Sequence, residues 1–373
     1  MYFTLCLWIQ ITKPLDTGVI ILYTLSIDTD VNVRERGKMA TIYDVAKVAG
    51  VSPKTVSRVI NDEPHVRDQT RQRVLKAIEK LDFRPSFSAR QLTRRKSHAI
   101  ALISDDISTS PYAVDVIRGA FQAAWKHKYM LLIVNTERET DIKESAVGLM
   151  IEREVEGIIY ATTYHRKATP PQAIHKLPTV LLDCYVEDGS ITSVVPDEKK
   201  GGYTATKTLL DKGHRRIGFV NDSEPIPASA GRLAGYKKAL EEFNVSFNPE
   251  LVVSTQPPEP EQGYWATKQL LQLTPRPTAI FCFNDRTAVG AYGAIREANL
   301  RIPDDVAVIG FDNQVFVSTI MDPPLTTIQL PHYEMGEWAV EKLLQIIDDH
   351  ENGQEPKVVH HMIDCPLVCR DSA

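Results

Sequence analysis

The chain has 373 residues, 43% of them hydrophobic and 24% charged, with a formal net charge of −5. That length holds two or three domains, and the composition excludes collagen-like and intrinsically disordered chains. Charge is unevenly placed: residues 39–97 carry 13 Lys and Arg against 6 Asp and Glu, a net +7, and residues 98–373 carry −12, so a polyanion is expected to meet only the N-terminal end.

Residues 1–38 differ from the rest. "MYFTLCLWIQI" and "GVIILYTLSI" are apolar, but Pro14 and Asp16 separate them. Neither run reaches the roughly 18–20 residues that a membrane span requires. There is no basic n-region of the kind a secretion signal carries. "RERGK" precedes Met39 and can be encoded by purines alone, as in a bacterial ribosome-binding site. We therefore expect translation to begin at Met39, with 1–38 a non-native extension and no membrane partner.

From Ile42 to Ala49, the apolar positions Ile42, Val45, Ala46 and Ala49 repeat with helical spacing, and Gly50 stops that helix. Ser52 is placed to cap a second helix with Pro53 at its first position and Val56, Val59 and Ile60 inward. A third helix is expected over Asp68–Leu81, with Val74, Leu75, Ile78 and Leu81 inward. Three short helices with a tight Gly-containing turn make a helix-turn-helix unit over 39–84. Pro85 breaks the pattern, and the basic stretch 85–97 reads as a linker able to form one short helix around its single large aliphatic residue, Leu92.

From Ala99 the rhythm changes. "AIALIS", "MLLIVN", "VEGIIYA", "PTVLLD", "ITSVVP", "RIGFVN", "TAIFCF" and "VAVIGFD" are short apolar runs alternating with helical stretches such as Val114–His127, Gly201–Lys212, Arg232–Phe243 and Arg286–Ala298. Such alternation predicts parallel sheets covered on both faces, and this length predicts two lobes. We expect lobe 1 over about 98–197 and 331–358, and lobe 2 over about 198–329 and 359–373. Ligands of such folds bind at strand carboxyl ends, where Asp105, Asp106, Asp183, Asn221, Asn284, Asp285 and Asp312 fall.

The second helix exposes Pro53, Lys54, Thr55, Ser57 and Arg58 near its N-terminus. Arg bonds guanine O6 and N7 together, Lys reaches the same acceptors, and hydroxyls suit phosphate oxygens. A recognition helix works through this end. Against an enzyme, there is no Gly-rich phosphate loop, no metal-spaced His pair and no nucleophile elbow. His360 and His361 are adjacent, so on a strand they point to opposite faces. The five cysteines, Cys6, Cys184, Cys282, Cys365 and Cys369, are odd in number and lack zinc spacing. Reduced thiols, a cytoplasmic and nucleoid-associated location, and no metal or cofactor are expected.

"ATIYDVAKVAGVSPKTVSRVIN", then "VRDQTRQRVLKAIEKLDFRPSFSARQL", "DKGHRRIGFV", "AGRLAGYKKAL", "PTAIFCFNDRTAVGA", "IPDDVAVIGFDN" and "DPPLTTIQLPHYEMG" together resemble the lactose/galactose repressor family of bacterial transcription regulators, from Met39 to the C-terminus. The resemblance implies an N-terminal all-α helix-turn-helix headpiece and an α/β two-lobed body, similar to periplasmic binding proteins, with parallel sheets. It implies a repressor that binds a pseudo-palindromic operator in double-stranded DNA as a homodimer, under allosteric control by a small-molecule effector. Pro53, Lys54 and Arg58 match the family's base-reading positions, and Ser52, Thr55, Ser57, Asn61 and His65 match positions near the phosphates. Leu92, with Arg90 beside it, matches the hinge that wedges into the minor groove. Asp183, Arg232, Asn284 and Asp312, with Tyr112 on the rim, match effector contacts. Read from the residues alone, Asp183 and Asp312 could instead cap turns, and Arg232 could pair with a carboxylate across the cleft. Where the family's purine-responsive branch has an arginine this chain has Ile226, so a sugar is the expected effector. No leucine heptad follows Arg370, so a dimer is expected, its face built partly from the Val114–Lys128 helix. The rival reading is a solute-binding protein of a sugar transport system.

Overall fold

A computed structural model describes residues 40–60, 63–64, 66–83, 96–106, 113–137 and 139–373. These fall into two compact units that divide between Ser97 and His98. The expected extension over 1–38 lies outside the described residues, as do Asn61, His65, Arg90, Leu92 and Tyr112.

The first unit opens where Thr41 can cap a helix. Its hydroxyl accepts the Asp44 amide, and the Asp44 carboxylate accepts the Thr41 amide at 2.8 Å, so orphan donors at the helix start are satisfied reciprocally. Helix α1 (Ile42–Ala49) ends at Gly50, whose φ of 63° is the left-handed conformation glycine adopts without a Cβ penalty. Ser52 Oγ accepts the Thr55 amide at 3.2 Å and so caps α2 (Pro53–Ile60). Helix α3 is Asp68–Lys80. Val45, Val56, Val59, Val74, Ala77 and Phe83 close a small core between the three. Leu75, expected inward, is instead 45% exposed. The buried stripe of α3 runs through Val74 and Ala77, and Leu75 sits about 100° round the helix from Val74.

The second unit contains two six-stranded sheets. The first takes β1 (Ala99–Ser104), β2 (Met130–Asn135), β3 (Gly157–Lys167), β4 (Thr179–Tyr185), β5 (Thr192–Pro196) and β11 (His360–Ile363), in the order β11-β5-β4-β3-β1-β2 and parallel throughout. The second takes β6 (Ile217–Asp222), β7 (Val252–Thr255), β8 (Ala279–Cys282), β9 (Ala307–Asp312), β10 (Thr326–Gln329) and β12 (Leu367–Val368), in the order β12-β10-β9-β8-β6-β7. Only β12 runs antiparallel to its neighbour.

Alternation along β1 shows why the strands are buried on both sides. Ile100 and Leu102 pack toward α4 (Ala113–Lys126) and α11 (His332–Glu351), whereas Ala99, Ala101 and Ile103 pack toward α5 (Thr140–Glu152). In lobe 2, α6 (Glu198–Asp211) and α7 (Pro227–Glu242) cover one face, and α8 (Pro260–Leu271) and α9 (Asp285–Glu297) cover the other. A short α10 (Val315–Ser318) follows β9. The lobe boundary expected at 358 is corrected: β11 pairs with β5, so lobe 1 keeps the chain through Ile363. The apolar alternation there is weak, with His360 and Met362 exposed, and pairing against an existing edge decides the matter. Among the described residues no helix is long and apolar enough to cross a membrane.

Candidate functional site

In the first unit Lys54 and Arg58 lie one turn apart on α2 and both are exposed. Arg58 makes a 3.5 Å ion pair with Glu63, whose side chain is itself half exposed. An exposed pair of this kind contributes on the order of 0–1 kcal/mol, so the guanidinium is readily given up to another acceptor. Pro53, Thr55 and Ser57 are partly buried on the flanks. The Ser52 and Thr55 hydroxyls lie 2.9 Å apart at the helix start. Buried Val56 and Val59 turn the opposite side of α2 into the core, which fixes the outward direction of the two cations.

In the second unit the carboxyl ends of β3 and β4 meet the start of α6, the second turn of α7 and the start of α11 around one pocket that opens to solvent. Its polar lining includes Tyr164, His165, Asp183, Glu198, Arg232 and His332. The backbone is strained here: Tyr164, Asp183 and Asp312 have φ of 64°, 58° and 108°. Supports are built for this. The Thr163 amide and hydroxyl donate to Asp105 at 2.7 and 2.9 Å, and the Thr162 hydroxyl donates to the Asp183 carbonyl at 3.1 Å.

The expected effector residues separate into different tasks. Asp183 is 6% exposed, lines the cavity, and among the described residues its Oδ1 has no hydrogen-bond partner. Burial pushes its carboxyl well above the usual range, and nearby Glu198 pushes the same way. Arg232 is fully buried; its Nε and Nη2 donate to Glu198 at 2.7 and 3.3 Å, and Nη1 donates to the Phe283 carbonyl. Phe283 and Phe311 lie against the guanidinium, with centroids 4.3 and 3.7 Å from Cζ. The pairing foreseen for Arg232 is present, but its partner belongs to the same lobe. Gly235, three residues on, permits it: a Cβ there would stand 2.1 Å from the Lys199 carbonyl, so α6 and α7 meet backbone to backbone. Asp312 Oδ1 lies 3.9 Å from Arg232 Nη1, but Asp312 lines the neighbouring groove. Asn284 caps α9, its Oδ1 accepting the Thr287 amide at 2.7 Å and its Nδ2 donating to the Pro258 carbonyl at 3.1 Å. Asp285, also at that strand end, accepts the Thr327 hydroxyl at 2.6 Å and the Gln314 amide at 2.7 Å, tying β9 and β10 together.

Glu198, Tyr164, His165 and His332 were not singled out from the sequence. Burial, with Arg232 adding to it, lowers the His332 imidazole from an ordinary 6.5 to about 4. The fold thus favours neutral His332, and stability from it is full above about 6.5 and lost as pH falls toward 4, on the order of 3 kcal/mol in all. Urea denaturation of the protein and of His332→Phe across that window is expected to show a larger acid loss in the native chain, the difference between the two being the His332 contribution.

Residues 41–86 match the family described as "Bacterial regulatory proteins, lacI family", and residues 97–368 match "Periplasmic binding proteins and sugar binding domain of LacI family". The ribose operon repressor of Haemophilus influenzae is 35% identical over 309 residues, covering 83% of this chain and 92% of that protein. The HTH-type transcriptional repressor PurR of Mannheimia succiniciproducens is 36% identical over 324 residues, covering 86% and 96%. The solved structure of the lac repressor dimer bound to operator and the anti-inducer ONPF superposes with a TM-score of 0.74 at 27% identity, covering 90% of this chain and 99% of that one.

Proposed function

The chain belongs to the lacI family of bacterial regulatory proteins and is a DNA-binding transcriptional repressor, and on that premise we propose that it grips a pseudo-palindromic operator as a homodimer while a sugar in the cleft changes that grip. The observation that carries the reading is the outward pair Lys54 and Arg58 on a capped helix whose other side is core. Base reading falls to Pro53, Lys54 and Arg58, and backbone contacts to Ser52, Thr55, Ser57, Asn61 and His65. Arg90 and Leu92 act in the minor groove. The effector meets Asp183 and Arg232 directly, with Tyr112 on the rim. Asp312 and Asn284 act from behind, the first on the guanidinium and the second by holding the start of α9.

Dimerisation is supported by α4, where Val114, Phe121 and Trp125 are 64%, 52% and 71% exposed. A sugar is supported by Ile226, which packs with Ala228 and Phe283 and so offers no charged contact to a base ring. The location is the cytoplasm, at the nucleoid, because the partner is chromosomal DNA. A transport role leaves the helix-turn-helix without a task.

Coupling follows from linkage: a sugar that prefers one lobe arrangement shifts the population toward it and so changes operator affinity. The salt dependence of operator affinity, followed by fluorescence anisotropy, tests the DNA claim. If the dimer makes several phosphate contacts, affinity is expected to fall on the order of 10^3-fold or more between about 50 and 200 mM salt as counterions are released. A flat response would overturn the reading.

A further inference from the structure

We infer that Glu198 sets the charge selectivity of the cleft: by holding Arg232 it reserves the cavity for an uncharged polyhydroxylated ligand and excludes phosphorylated or carboxylated counterparts. This rests on the reading of the cavity as the effector site.

Each cationic group that could hold an anion there is already committed. The guanidinium of Arg232 presents its paired N–H groups to Glu198, while Phe283 and Phe311 lie against it. That pair is 0% and 5% exposed, so an anion competing for Arg232 would have to displace a carboxylate that cannot reach water. Arg166, two residues beyond Tyr164, donates through Nε to the Thr163 carbonyl at 2.9 Å and pairs with Glu224 at 3.1 Å. Burial disfavours a charge on both His165 and His332 by lowering their imidazoles. Among the described lining residues the one cation, Arg232, is already matched by Glu198, and Asp106 adds a further carboxylate beside them. A phosphate entering the cavity would add like charge in a setting poorly screened by water.

What the cavity leaves open is hydrogen-bonding capacity. Among the described residues Asp183 Oδ1 has no hydrogen-bond partner, and neither does His165 Nδ1. A hydroxyl both donates and accepts, so neighbouring hydroxyls of one polyol can satisfy a carboxylate oxygen and a ring nitrogen together. A buried polar atom left unpaired is costly, and a ligand that completes it gains that difference. The raised carboxyl of Asp183 agrees: the site tolerates the neutral acid and gains nothing from a further negative charge.

The test is thermal shift and calorimetry on the full chain with matched pairs: D-ribose and D-ribose 5-phosphate, D-glucose and D-glucose 6-phosphate, D-fructose and D-fructose 1-phosphate, and cellobiose with its aldonate. The expected result is that at least one neutral member binds and its anionic counterpart binds at least tenfold more weakly. Asp183→Asn is expected to weaken the neutral sugar at least tenfold. Glu198→Gln is expected to narrow the gap between the pair; the native-chain panel stands even if that variant does not fold. Binding of an anionic member in preference to its neutral partner would overturn the inference, as would binding of hypoxanthine with no sugar bound, or no binding across the panel. Operator binding without ligand is measured separately, so a phosphosugar that binds and alters operator affinity would sink the charge selectivity and leave the repressor reading intact.

Discussion

Glu198→Ala is expected to lower the unfolding free energy of the two-lobed unit by about 3–5 kcal/mol, because it leaves a buried guanidinium without its carboxylate. Arg232 is fully buried and the Glu198 side chain is 5% exposed, so water cannot replace the lost acceptor. Asp312, at 3.9 Å from Nη1, is too far for a hydrogen bond and compensates weakly. A typical domain has a margin of only about 5–15 kcal/mol, so the change is large. The double variant Glu198→Ala with Arg232→Met is expected to regain most of the loss, since removing both charges removes both desolvation costs. Equilibrium denaturation of the three proteins measures this. A single variant as stable as the native chain would show that the pair carries no structural weight.

Arg58→Ala is expected to cost about 1–3 kcal/mol in operator affinity and to relax the preference at one base position, as loss of a bidentate guanine contact does. The effect on folding is expected to be small. Arg58 is exposed and its ion pair with Glu63 is spanned by half-exposed side chains. Selection from a randomised duplex library, native chain against variant, separates two roles. A base reader loses discrimination at one position, whereas a phosphate contact loses affinity uniformly across sequences.

The headpiece was legible because short-range rules decide it. Gly50 and Ser52 mark helix ends by local chemistry, and each is found in that role. Leu75 misled because two apolar residues in a row, Val74 and Leu75, leave the face ambiguous until Ala77 is counted as core. In the body the central strands were plain as apolar runs. β7, β10 and β12 are short edge or near-edge strands of four, four and two residues, and carry too little pattern to stand out. At the cleft, Asp183 could be placed at a strand end from sequence. The capture of Arg232 by Glu198 could not, since it depends on how closely α6 and α7 approach. A trace was present: Gly202 on one helix and Gly231 and Gly235 on the next mark two surfaces able to approach closely. His332 gave no signal, because it is separated from Arg232 by 99 residues of intervening chain and meets it only where the lobes join.

The central claim is that occupancy of the cleft is linked to the grip on DNA. The most direct measurement is operator affinity at fixed salt for the native chain and Asp183→Asn, each with and without the neutral sugar that binds the native chain. The account predicts a shift of about 5–150-fold in the native chain, the range of ordinary allosteric coupling, and none in the variant at the same sugar concentration. Equal operator affinity for sugar-bound and sugar-free native protein would contradict it.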